Sequence, residues 1–118
     1  MHELGHYRKG NAMSGKKIMI LKYIDNTDCK DWLIFNPLQI AEIAIAGPRL
    51  QRNIGTIVIS IGLLLTLLEI IQLSQWIFIA FNLFISWSIN FLNYKFPDGT
   101  ATDYYWAKHS NEFLESKR

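Results

Sequence analysis

The chain of 118 residues holds a single cysteine, Cys29, so no internal disulfide framework can support it. Histidines with no second cysteine also exclude a zinc-finger pattern. Charge is nearly missing from one long stretch: between Ile54 and Tyr94 the sole ionisable acid or base is Glu69. The N-terminus is polar and has no apolar segment of the kind a signal peptide needs. The net charge is only +2 and no basic patch is interleaved with aromatics, so nucleic acid is not an expected partner. Proline occurs three times, as Pro37, Pro48 and Pro97, and each reads as punctuation. The length suits one small domain.

What the chain does have is apolar length. Ile54–Leu73 and Trp76–Tyr94 are two runs of about 20 residues, each enough to cross a hydrocarbon core of about 30 Å as a helix. A short turn near Ser74-Gln75 makes them a transmembrane helical hairpin. Trp76, Trp87 and Tyr94 are candidate interfacial anchors. Lys16, Lys17, Lys22, Arg49 and Arg52 precede the hairpin and Lys95 follows it, while the turn carries no Lys or Arg. That bias places both flanks on the cytoplasmic side of an integral membrane protein, and the Ile- and Lys-rich composition points to a bacterial cell membrane. Glu69 reads as an interfacial carboxylate, with a buried functional acid as the alternative. Asn82, Ser86 and Asn90, four residues apart, form one polar stripe that must face protein or a wet cavity.

Ahead of the hairpin, Lys17–Ile24 reads as a strand, Asp25-Asn26-Thr27-Asp28 as a turn, and Trp32–Phe35 as a second strand. Such a β-hairpin (residues 16–36) serves as a lid, or as an edge to which an extended peptide adds. Asn36-Pro37 opens a helix over 37–47, and Gly47-Pro48 stops it.

The chemistry-bearing motif is His2-Glu3-Leu4-Gly5-His6. On a helix, here expected over residues 1–15 with Gly10 and Gly15 limiting its length, the imidazoles at i and i+4 share one face and can bind one Zn²⁺. The adjacent carboxylate of Glu3 can take a proton from a zinc-activated water. A catalytic zinc needs three protein ligands and one open position. Asp98 and His109 are the candidates for the third. Asp98 lies in a tight Pro97-Asp98-Gly99 turn just after the second run, and His109 in a polar, helical tail (95–118).

Three segments resemble the signatures of the site-2 protease family of intramembrane zinc metalloproteases. They are His2-Glu3-Leu4-Gly5-His6, Ala46-Gly47-Pro48, and Asn90-Phe91-Leu92-Asn93-Tyr94-Lys95-Phe96-Pro97-Asp98-Gly99, in the family's order. Asn93 stands where the family usually has Pro, and Gln51 where Asn usually follows Gly-Pro. The resemblance implies that His2, His6 and Asp98 bind zinc, that Glu3 activates the water, and that Asn90 helps hold the substrate strand. It implies a zinc metalloendopeptidase cutting a membrane-protein or membrane-proximal peptide in the lipid bilayer. In that family the first motif lies within a transmembrane helix, whereas here Met1 directly precedes it, so an N-terminally short member or fragment is expected. The expected fold is a mainly α membrane domain over residues 1–118: hairpin, motif helix and small β-hairpin. The alternatives are an inactive remnant of the family and a small two-span interaction or immunity protein.

Overall fold

The computed structural model describes residues 2–22 and 26–118. In order, the elements are α1 (His2–Ser14), β1 (Met19–Lys22), β2 (Asn26–Cys29), a 3-10 turn (Trp32–Ile34), α2 (Pro37–Leu67), α3 (Leu73–Ser88), a second 3-10 turn (Ile89–Phe91), α4 (Asp103–Lys108) and α5 (Ser110–Ser116). The fold is mainly helical, with one two-stranded antiparallel sheet.

α1 runs past Gly10 and ends at Gly15, whose φ of +67° makes it the left-handed stop. Asn11 then fastens the chain that leaves the helix: its Oδ1 accepts from the backbone N–H of Ile18 and Met19, at 3.0 and 2.9 Å. The sheet pairs Met19 with Cys29 and Lys22 with Asn26. The second strand is thus built from residues read as a turn, and Trp32–Ile34 is helical rather than extended. The reason is local. Asp31 caps the 3-10 turn through Leu33 N–H at 3.0 Å, and Asp28 Oδ1 takes the indole N–H of Trp32 at 3.2 Å, which holds the Trp in a turn. Ile24 and Asp25, assigned above to the strand end and the turn, lie outside the described residues.

α2 starts where Asn36-Pro37 predicts. The Asn36 side chain accepts from Gln39 N–H at 2.9 Å and Gln39 Oε1 accepts from Asn36 N–H at 3.0 Å, a reciprocal cap. It does not stop at Gly47-Pro48 but continues for 31 residues, about 46 Å of helix. A proline inside a helix forfeits one backbone hydrogen bond and costs roughly 3 kcal/mol. Here Pro48 is among the most deeply buried side chains, so packing offsets that cost. The helix ends in a Schellman motif: Glu69, at φ 59°, occupies the left-handed position, with Ile70 N–H to Leu65 C=O at 2.9 Å and Glu69 N–H to Thr66 C=O at 3.0 Å. Glu69 is exposed in this turn.

Two regions differ in what they bury. Met19, Cys29, Phe35, Ile40, Ile43 and Leu114 form a core cluster joining the sheet, the first half of α2 and α5. The second half of α2 packs against α3, with Trp87 seated at Gly55 and Trp76 at Gly62, so the two helices run antiparallel. Trp76 also donates to Ile59 C=O at 2.9 Å. Both tryptophans therefore hold the two helices together. Most of the remaining surface of this pair is apolar and exposed, including Ile57, Leu64, Leu67, Phe78, Phe81 and Phe84. Three hydroxyls of α2 are satisfied inside the helix itself: Thr56 donates to Arg52 C=O, Ser60 to Thr56 C=O and Thr66 to Gly62 C=O, each at 2.8 Å. Among the described residues α2 is the one helix long and apolar enough to cross a membrane. The expected spans Ile54–Leu73 and Trp76–Tyr94 are redrawn, since α3 has only 16 residues.

Candidate metal centre

α1 lies across α2 at two glycines. A Cβ on Gly5 would sit 2.4 Å from Ala46 C=O and 2.8 Å from Gly47 Cα, and one on Gly47 would sit 2.5 Å from His6 Nε2. Only glycine admits this approach. The crossing carries the motif's histidines onto the Gly47 side of α2, and both rings are fixed from behind. His6 Nδ1 lies 2.7 Å from Ile43 C=O. A carbonyl only accepts, so Nδ1 carries the proton and Nε2 of the neutral ring presents a lone pair. His2 Nδ1 lies 3.0 Å from Gln51 Oε1. Gln51 Nε2 in turn donates to Ser86 Oγ at 2.8 Å, which orients the amide oxygen toward the histidine. Acceptors behind both imidazoles are the outer shell that metal-binding histidines have.

The two Nε2 atoms are 3.0 Å apart. Facing them is Asp103, with Oδ2 at 2.6 Å from His2 Nε2 and 3.4 Å from His6 Nε2. Oδ2 is sealed from solvent and accepts no well-aligned hydrogen bond, despite the short contact. Two imidazole lone pairs and a carboxylate oxygen thus converge on one point, a repulsive arrangement unless a cation or protons sit among them. Four-coordinate zinc with bonds of about 2.0–2.2 Å sets its ligand atoms about 3.3–3.6 Å apart. The observed separations approach that triangle, and the 2.6 Å edge needs to open by less than about 1 Å. Among the described residues, His2, His6 and Asp103 form one group whose ligand atoms are close enough together to hold a metal ion.

Without a cation, protons take the place among the three groups. His2 and His6 both titrate above the ordinary 6.5; burial pulls them down, and the contact with Asp103 and its charge outweigh it. Asp103 is held below 3.8, because the two imidazoles outweigh the upward push of burial. Glu3 is beside the cluster, its Oε1 3.8 Å from His2 Nε2. Glu3 and Asp103 share the lining of one cavity with His6.

Asp98, expected as the third ligand, is not in this group. It is exposed, and its Oδ1 accepts from both the backbone N–H and the hydroxyl of Thr100, at 3.0 and 2.6 Å. Those bonds hold its carboxyl below the ordinary carboxylate value and close a turn with Gly99 at φ +92°. The turn, tied by Phe96 N–H to Thr100 C=O at 2.7 Å, reverses the chain. Buried Thr102 then pins the returning strand: its hydroxyl donates to Leu92 C=O and its N–H to Tyr94 C=O. Asp103 follows directly. His109 is elsewhere, stacked on Tyr105 at 4.0 Å, with Nδ1 against Tyr105 C=O. Sequence reasoning passed over Asp103; the one local sign was Thr102, a helix N-cap that orders the next residue. The polar stripe does not act as a unit either. Asn82 donates to its own helix at Phe78 C=O, Ser86 reaches Gln51, and Asn90 is half-buried in the 3-10 turn.

No family model, curated protein or solved structure matches the chain.

Proposed function

We propose that the protein is a zinc-dependent endopeptidase that works at a membrane, in the manner of the site-2 proteases its motifs resemble, with His2, His6 and Asp103 as the zinc ligands. The observation that carries this reading is the convergence of two Nδ1-anchored imidazoles and an otherwise unbonded carboxylate oxygen beside Glu3. Zinc bound there would supply a Lewis acid for the peptide carbonyl and lower the pKa of a water to about 7. Glu3 takes the proton of the attacking water and returns it to the leaving amine. Gln51 and Ile43 keep the imidazole protons on Nδ1 and so hold both Nε2 lone pairs on the site. Burial of Asp103 Oδ2 keeps competing water off the ligand triangle.

The membrane half of the proposal rests on the many large apolar side chains that α2 and α3 leave exposed, the kind of surface that marks an interaction site. In this reading the α2–α3 hairpin is seated in the lipid bilayer, its flanks face the cytoplasm, and the substrate is a peptide within or next to a transmembrane segment.

The test is metal analysis of detergent-purified protein together with peptide cleavage. Wild type is expected to hold about one zinc per chain and Glu3→Gln to keep that zinc while losing cleavage by roughly 10²–10⁴-fold. A chain that takes up no zinc, or an equally active Glu3→Gln, would reject the reading.

A further inference from the structure

The cavity that Glu3, His6 and Asp103 share has a volume of about 260 Å³. Beyond these groups and Thr27, its lining is apolar. Ile40 and Ile43, which line it, belong to the buried core. Trp32, Trp106 and Phe113 are half-buried. Phe113 meets the other two edge-on, at 5.1 Å from Trp32 and 5.6 Å from Trp106, a mutual bracing that keeps these walls in place. Among the described residues no lysine or arginine lines it.

We infer that this cavity is the specificity pocket of the proposed site, taking a large apolar side chain, aromatic or long aliphatic, from the residue next to the cleaved bond. The inference rests on the zinc-peptidase reading for its substrate, and on geometry for its shape. A cavity of about 150 Å³ lined by aliphatic and aromatic side chains holds a benzene ring, so 260 Å³ accommodates a phenyl or indole group with part of the adjoining backbone. Position matters as much as size. Ile40, Trp106 and Glu3 line the same space, so a side chain lodged there shares the cavity with the carboxylate that takes the proton. The charge balance selects against ionic occupants. An acidic side chain would face Glu3 and Asp103. A basic one gains little, since a divalent metal offsets both carboxylates.

The probe is N-acetyl-4-fluorophenylalaninamide, followed by ¹⁹F NMR against zinc-loaded and zinc-free protein in micelles, with empty micelles as the blank. Wild type should bind it at least about tenfold more tightly than N-acetylalaninamide binds in competition, the scale on which apolar pockets discriminate. Ala101→Phe, which fills the lining from a half-exposed position, should abolish binding while circular dichroism stays unchanged. Ala44→Leu is the second filling variant should the first fail to fold. In a peptide series, wild type should cut best beside Phe, Leu or Trp, and the filled variant beside Ala or Gly. Stoichiometric zinc without probe binding, or binding unaffected by both filled variants, overturns the pocket and leaves the metal site standing. Probe binding lost on filling, in a chain that takes no zinc, upholds the pocket while rejecting the peptidase.

Discussion

Gly47 and His6 are so closely apposed that a single methyl group on the glycine would lie 2.5 Å from the imidazole Nε2, and 2.9 Å from His2 C=O. The atom that would be displaced is the one that faces Asp103. Gly47→Ala is therefore expected to push His6 off the triangle. Overpacking of this kind typically costs about 1–3 kcal/mol, and zinc content should fall well below that of wild type. Metal analysis with a thermal melt checks this; full zinc at an unchanged melting temperature would mean the ring has room to move.

Asp103 and Asp98 are separated by one tight turn and do different work. Asp103→Ala should lose zinc, whereas Asp98→Ala should retain it and only loosen the turn that Thr100 closes. Parallel metal titrations of the two variants decide the matter. Zinc lost from the Asp98 variant and kept by the Asp103 variant would return the ligand role to the sequence motif.

The Ser86–Gln51–His2 chain links α3 to the candidate metal centre through bonds of 2.8 and 3.0 Å. Gln51→Leu should weaken metal binding by about 10–100-fold, the usual cost of removing an outer-shell partner. Ser86→Ala should do less, and Ser86→Thr should restore whatever Ser86→Ala loses. Competition with a chromophoric chelator gives the affinities, and an affinity for Gln51→Leu equal to wild type would remove Gln51 from the site.

Acidity should act oppositely on the zinc-free and zinc-bound forms. The histidine pKa values are raised, so their contribution to the zinc-free fold is complete below 6.5 and lost as pH rises through the higher folded values. Asp103 is depressed, so its contribution is present above 3.8 and lost as pH falls through its lower folded value. Zinc-free protein should thus melt highest between about pH 4 and 6.5. Zinc requires neutral imidazoles, so its stabilisation should grow as pH rises beyond that window. Melting curves with chelator and with zinc across pH 4–9 test both arms; parallel curves would show that the three side chains do not titrate as a group.

Much of the helical architecture was legible because it depends on neighbours in the chain. Asn36-Pro37 with Gln39 forms a complete cap out of four consecutive residues. The i, i+4 spacing of His2 and His6 places both rings on one face whatever they face. The second strand was misplaced because Asn26–Cys29 is extended only by pairing with Met19–Lys22, and nothing in its composition favours that. The helix stop at Gly47-Pro48 was misjudged for a related reason: both residues punctuate a helix in isolation, but here the missing Cβ of Gly47 admits α1 and the proline ring is fully buried.

Sequence alone, then, determined the motif helix, the α2 cap, the absence of charge along the hairpin and the presence of two imidazoles on one face, since each follows from spacing and side-chain chemistry within a few turns. Tertiary structure alone decided which carboxylate meets those imidazoles. Asp98 and Asp103 follow the same helix and are chemically identical. What separates them is that Thr100 saturates one in an exposed turn, while Thr102, held by carbonyls about ten residues back, delivers the other to the two rings across α2.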